Sequence, residues 1–474
     1  MQVKGSYDLV VVGDQLAGLF LAAGAAQKGW KVLVLEGNVT PSVLHEIPSG
    51  RFLGDLIAEP LVGLDPNGKV DKFLRELGLY QEIDELFPRH ELNQQLITDK
   101  FRIIFQETQE KLEKELRENS SLSSEQIVAL SKLLTGTGNS KTKISELAKQ
   151  YGLPVDVECI ASLWPSIYGS MAPGDLTLGQ YRTVLDEMKK GVRFPLGGRT
   201  ALKERLLSKI SIFGGTIRKM AWVEEIVFEY GRLTGVMLST YEGFVKSPRV
   251  VGAMGANSFL QLIPQKMKPE FLEKSLENIS SRYWRMNFCL VLPEEVLPEG
   301  LHTNSILMEL GEDLAEERFL HLQVFGKEMF GGIPPDHKAL IVRLLVPFED
   351  KSLQRKYLVK LIQKALVKLE KLIPFLKTQP YTLTPNIHDF ENDLIFEKFY
   401  NWTDLNFVPP ILRVHEQTIT ENLENVDFLN WSRFGLDGLA LCSRGIRPML
   451  GLYGEMEAAI DLLESDFLRR RTVE

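Results

Sequence analysis

The chain is 474 residues long, enough for two large domains or about three of ordinary size and for a sizeable core. Its 55 Lys and Arg against 63 Asp and Glu leave a net charge of −8, without the basic excess of a nucleic-acid binder. With 44% hydrophobic and 25% charged residues, a largely disordered chain is excluded.

The three cysteines, Cys159, Cys289 and Cys442, lie far apart with no CxxC pair. Neither a disulfide framework nor a thiolate zinc site is expected, and a reducing compartment is the default. The seven histidines show no HxH or HExxH pairing, so no metal site is expected. No GxSxG turn marks a hydrolase nucleophile. The most apolar early stretch, Leu9 to Ala26, is interrupted by Asp14, Gln15 and glycines, unlike a membrane span. The basic start and cleavage site of an export signal are missing, so the expected location is cytoplasmic.

In chain order, Tyr7–Val12 reads as a buried strand, Leu16–Lys28 as an Ala-rich helix and Lys31–Glu36 as a second buried strand. Together they make a parallel βαβ unit. Residues 92–150 read as polar and helical, with a helix over Ile104–Leu116 and a possible cap at Ser123. From Phe194 the pattern is α/β again. Thr200–Ser211 reads as a helix, and short strands follow at Leu233–Ser239 and Arg249–Ala253. Trp284–Leu292, Ser305–Leu310, Phe319–Phe325 and Ala339–Val346 read as strands, Leu353–Leu372 as a long helix and Gly454–Leu468 as the last one.

The turn Gly13-Asp14-Gln15-Leu16-Ala17-Gly18 between first strand and first helix carries the most chemistry. A dinucleotide-binding turn uses one glycine for the bend, a second for close approach of the pyrophosphate and a third for helix–strand packing. Gly13 and Gly18 fill the first and third places, and Gln15 stands at the second. Glu36, ending the next strand, sits where an acid takes ribose hydroxyls. The bland reading is a βαβ unit that only folds.

Tyr7–Glu36, Phe194–Gly252 and Gly438–Glu464 resemble the three flavin-domain segments of FAD-dependent oxidoreductases of the phytoene desaturase and amine oxidase type. The middle segment is the most specific: Phe194-Pro195-Leu196-Gly197-Gly198, a helix, Gly214-Gly215, Val223-Glu224-Glu225-Ile226 and Gly231-Arg232-Leu233-Thr234-Gly235-Val236. Gly445, Pro448, Gly451 and Gly454 match the last segment. The resemblance implies a Rossmann-like FAD-binding domain of glutathione-reductase type, assembled from 1–90, 191–260 and 425–474. A mixed α+β substrate domain would come from 91–190 and 261–424. It implies FAD as cofactor, with Gly13, Gln15, Gly18, Glu36, Val223, Arg444, Gly451 and Gly454 around it, Val223 meeting the adenine edge through its backbone. It also implies dehydrogenation or isomerisation of a bulky, mostly apolar small molecule; no catalytic acid or base is assigned.

The chain departs from this pattern at the cofactor. Gln15 puts a side chain where the pyrophosphate approaches, and Asp14 either repels phosphate or occupies the anion position itself. No Gly-Gly-Arg follows within Gly37–Gly50, and Ser443-Arg444 stands where the family carries Gly-Asp. Arg444 either pairs with the pyrophosphate or fills the flavin's place against Glu36 or Asp14. The alternative function is a flavin-free scaffold that binds a ligand or protein in the same cleft. Finally, Lys351–Lys377 carries eight basic residues against the single acid Glu370. An amphipathic helix covering the substrate sheet is favoured over a membrane-surface helix. The triplet Arg469-Arg470-Arg471 complements the dipole of the last helix.

Overall fold

The computed structural model describes residues 3–36, 60–88, 94–99, 101–104, 108–153, 177–239, 243–277, 279–309, 319–329, 333–347, 355–378, 382–384, 412–418 and 429–468. The segment after Glu36 read for Gly-Gly-Arg, Cys159, Lys351 and the Arg469–Arg471 triplet lie outside the described residues.

Five strands form a parallel sheet in the order Leu439–Leu441, Val250–Ala253, Leu9–Gly13, Val32–Glu36, Thr216–Lys219. Side chains alternate between its faces. Leu9, Val11, Val32, Val34, Val251 and Ala253 join one apolar cluster with the first and last helices. Val10, Val12, Leu33, Leu35 and Val250 join another, against Val223, Ile226 and Val236. Both faces are covered, which is why these strands are continuous apolar runs. The second cover is a four-stranded sheet of Val3–Ser6, Phe244–Lys246, Arg232–Leu238 and Val223–Glu229.

The helix Leu16–Gln27 is buried from Leu16 through Ala26. It lies between the helices Gly198–Ile212 and Gly451–Glu464. A Cβ on Gly24 would meet Leu463 Cδ1 at 2.6 Å, so glycine there sets how closely the last helix approaches. The last helix ends at Glu464 and passes into a 3-10 turn, Asp466–Leu468, rather than running on to Leu468 as the apolar period suggested. Ser465 is extended, and its hydroxyl accepts from the Phe467 amide at 3.3 Å, which breaks the helical ladder.

A second, eight-stranded sheet is centred on Ile279–Pro293, which pairs antiparallel with His337–Pro347 from Tyr283↔Pro347 to Pro293↔His337. Beyond it come Phe319–Phe325, Asn304–Met308, Gln94–Thr98 and Arg102–Ile104. The last two correct the helical reading of 92–116. Ile103 is fully buried on the strand paired with Leu96, and the helix begins only at Gln109, capped by Thr108. Ser123 does cap the next helix, its hydroxyl accepting from the Gln126 amide at 3.2 Å.

One face of this sheet packs on helices Gln109–Asn119, Ser124–Thr135 and Leu178–Lys189. The other packs on Arg355–Leu372 through Leu358, Leu361, Ile362, Ala365 and Leu369. The basic helix is therefore amphipathic, with its apolar side committed to the sheet. Among its cations, Lys368 is buried and pairs with Glu309 at 2.9 Å. Among the described residues no helix is long and apolar enough to cross a membrane.

Candidate cofactor site

The first strand leaves its sheet at Gly13, whose φ of 107° suits glycine. A Cβ on Gly13 would stand 2.3 Å from the Ala253 carbonyl oxygen, and one on Gly18 would stand 2.2 Å from Ala253 Cβ. Both glycines are thus demanded by the end of the neighbouring strand: Gly13 for the bend and Gly18 for the helix to pack. Gln15 caps the helix with extended backbone, and its amide donates to Ala253 O at 3.1 Å. Its side chain makes no capping bond. It crosses to the far side of the cleft, where Oε1 accepts from the Arg444 amide at 3.1 Å.

Arg444 arrives there because the strand Leu439–Leu441 runs beside Val250–Ala253, and the Cys442 amide donates to Gly252 O at 2.9 Å. Ser443 is buried, and its hydroxyl makes no hydrogen bond to the protein. Two 3-10 turns follow, then Gly451 at φ 53° and the last helix. A Cβ on Gly454 would lie 2.5 Å from the Arg447 carbonyl oxygen, so this glycine lets the turn fold onto the helix.

Three charged residues that the sequence reading did not single out organise the cleft. Lys203 pairs with Asp14 and stands 3.3 Å from Glu36 Oε1. Burial works to lower its pKa, but Asp14 and then Glu36 hold it above the ordinary lysine value. Glu455, only 1% exposed on the last helix, accepts from the Ala17 amide at 3.1 Å. It also accepts from Arg199 Nη2 at 2.7 and 2.9 Å. A protein carboxylate therefore already sits at the positive end of the first helix, where an anion is stabilised. Arg199 and Lys203 are spaced i, i+4 on one helix face, where like charges repel unless acids face them. That spacing was the available signal.

The structure thus brings Gly13, Gln15, Gly18, Glu36 and Arg444 around one cleft, with Gly451 and Gly454 shaping the turn behind Arg444. Glu36 also connects to the Val223 strand: the Met220 amide donates to its carbonyl at 3.1 Å. Val223 is buried between the two sheets, paired with Leu238. The cation against Asp14 and Glu36 is Lys203. Cys289 and Cys442 are buried and free, and burial pushes both thiols up, Cys289 to about 12, so neither is a nucleophile.

For FAD, the ribose end of this cleft fits as it stands. Apart from its 3.3 Å ion pair with Lys203, Glu36 Oε1 accepts no hydrogen bond in the protein, and it stands at the strand's end, where an acid takes ribose hydroxyls. The Ser443 hydroxyl, on the opposite wall, is a buried polar atom without a partner in the protein. At the phosphate end the Gln15 side chain bonds across to the Arg444 amide and the Glu455 carboxylate accepts from the Ala17 amide, so an entering phosphate has to displace the first and lie beside the second.

No protein-family profile matches the chain. A curated relative, the all-trans-retinol 13,14-reductase of Rattus norvegicus, is 22% identical over 316 residues, which is 56% of this chain and 50% of that protein. The chain thus spans about half the length of that relative. Among solved structures, an oxidoreductase from Methanosarcina mazei aligns with TM-score 0.63 at 16% identity over 96% of this chain and 100% of that one. A fatty acid isomerase from P. acnes aligns with TM-score 0.56 at 13% identity, over 97% and 98%. A redesigned putrescine oxidase aligns with TM-score 0.57 at 12% identity, over 97% and 100%. The chain has the fold of the FAD-dependent oxidoreductases of the phytoene desaturase and amine oxidase type.

Proposed function

We propose that the chain is an FAD-dependent oxidoreductase that dehydrogenates or isomerises a bulky, mostly apolar small molecule. The observation that carries this reading is the convergence of Glu36, the Gly13–Gly18 turn and the Ser443–Arg444 loop on one cleft, with the buried Ser443 hydroxyl left without a partner in the protein. Retinol and fatty acids, for which two of the similar proteins are named, are substrates of the proposed kind.

The cofactor would supply hydride acceptance when bound. The chain's own residues bind and orient. Glu36 takes ribose hydroxyls, Lys203 offsets the charge that Asp14 and Glu36 would otherwise present to phosphate, and Arg444 adds positive charge across the cleft. The Glu455–Arg199 pair fixes the last helix against the first, holding the two walls in register. The apolar cluster through Phe194, Leu196 and Met449 joins this cleft to the substrate sheet and excludes water from the contact.

The opposing reading, a flavin-free scaffold, is favoured by the same Gln15–Arg444 bond, which closes the phosphate passage. Anaerobic addition of retinoids and fatty acids to the FAD-loaded chain tests the proposal. Bleaching of the flavin by one of them supports an oxidoreductase, and a chain that takes up no FAD supports the scaffold.

A further inference from the structure

The substrate sheet is asymmetric in a way that packing alone does not explain. On the strand Phe319–Phe325, Leu320 and Leu322 face the long basic helix, while Phe325 belongs to the opposite apolar cluster. His321 and Gln323 alternate with them and share the Phe325 face. The same count puts Asn287 with Cys289 and Val291, and Arg343 with Ile341 and Leu345, on that face. Asn304 and Gln94 extend it through Ile306 and Leu96.

The pairings Asn287↔Arg343 and Arg343↔His321 set three of these residues side by side in one row. In the next row Gln323↔Asn304 and Asn304↔Gln94 do the same. All are at least nine-tenths buried: His321 and Asn287 are 1% exposed, Arg343 3% and Gln323 0%.

His321 Nε2 donates to Asn304 Oδ1 at 2.5 Å. Gln323 has neither Oε1 nor Nε2 bonded to the protein. The comparison with the other face is direct: Gln95 and Ser305 are buried there too, but Ser305 Oγ donates to Gln95 Oε1 at 3.3 Å and Gln95 Nε2 to Gly300 O at 3.1 Å. An unbonded buried amide is costly in a folded protein, so a wholly unbonded Gln323 beside a buried guanidinium marks a position shaped for a ligand. The cofactor cleft is close by. Phe325, two residues on, stacks edge-on with Phe194 at 5.1 Å, and Phe194 leads into the helix that carries Arg199 and Lys203.

We infer that this polar row is a binding site for the carboxylate of an apolar acid. Arg343 supplies the cation, Gln323 Nε2 donates to a carboxylate oxygen, and the surrounding cluster takes the hydrocarbon. The inference rests on the proposed function only for the apolar body of the ligand.

The test is fluorescence titration of the full chain with cis-parinaric acid and with its methyl ester, FAD uptake being measured separately by absorbance. The acid is expected to bind about tenfold or more tightly than the ester. Arg343→Gln and Gln323→Leu should each erase that preference while ester binding stays within about twofold. Gln323→Glu, which places an internal carboxylate diagonally across from Arg343, should block the acid alone. Equal binding of acid and ester by the wild type overturns the inference, as does an unchanged preference in folded Gln323→Leu and Gln323→Glu. A chain that takes up no FAD yet binds the acid in an Arg343-dependent way leaves the site standing and removes only the redox reading. A chain that takes up FAD but does not discriminate does the reverse.

Discussion

The Gln15 side chain accepts a hydrogen bond from the Arg444 amide at 3.1 Å, tying the turn after the first strand to the loop before the last helix. These loops come from opposite ends of the chain and form the two walls of the proposed cofactor cleft. In a dinucleotide turn the second glycine lets backbone and pyrophosphate meet. Here an amide oxygen of the protein occupies that approach and satisfies a donor on the far wall.

Replacing Gln15 with glycine should therefore raise FAD affinity about fivefold, the worth of one neutral hydrogen bond near 1 kcal/mol. Flavin fluorescence quenching reads this directly. An unchanged dissociation constant would mean that the Gln15–Arg444 bond does not compete with the cofactor.

Lys203 is the one cation paired with both Asp14 and Glu36 among the described ion pairs. Lys203→Met leaves two part-buried carboxylates facing each other and the phosphate passage. Stability should fall by about 1–3 kcal/mol and FAD affinity about tenfold. The pH dependence has a definite sign. The folded-state pKa of Lys203 is raised above 10.5, so the pair stabilises fully below that value and is lost as pH climbs through the raised one. Alkaline denaturation of Lys203→Met should show a shallower slope above pH 10.5 than the wild type.

Gly18 and Ala253 form a testable contact pair. Gly18→Ala brings two Cβ atoms to 2.2 Å and should destabilise by about 1–3 kcal/mol. Adding Ala253→Gly should recover at least half of the loss in urea unfolding. Independent, additive effects of the two substitutions would show that Gly18 is needed for something other than this packing.

The helix Arg355–Leu372 should not hold the chain on membranes, because Leu358, Leu361, Ile362 and Leu369 are spent on the sheet. Sedimentation with anionic vesicles at physiological salt should leave the protein in the supernatant. Retention that disappears when Lys360 and Lys364 become Glu would contradict this.

The first βαβ unit was legible because its strands are buried on both faces and so read as unbroken apolar runs, with Gly13 and Gly18 where the neighbouring strand leaves no room for a Cβ. Arg102–Ile104 was not legible as a strand. Its three residues fit a helical period as well as an extended one, and only pairing with Gln95–Ile97 decides. At the cleft, Gln15 and Asp14 were visible as departures from the glycine pattern. Their partners Arg444 and Lys203 come from 429 and 189 residues away, so no local spacing reveals the contacts. The polar row of Asn287, Arg343, His321 and Gln323 was hidden for the same reason. Each residue is a single polar position in an apolar strand, and only the register sets them side by side.

The measurement that tests the account most directly is the visible absorbance of the full chain after incubation with FAD and removal of free cofactor by gel filtration. The account predicts a flavin band that travels with the wild-type protein and is retained more strongly by Gln15→Gly. A colourless protein in both cases would contradict it and would support the flavin-free scaffold.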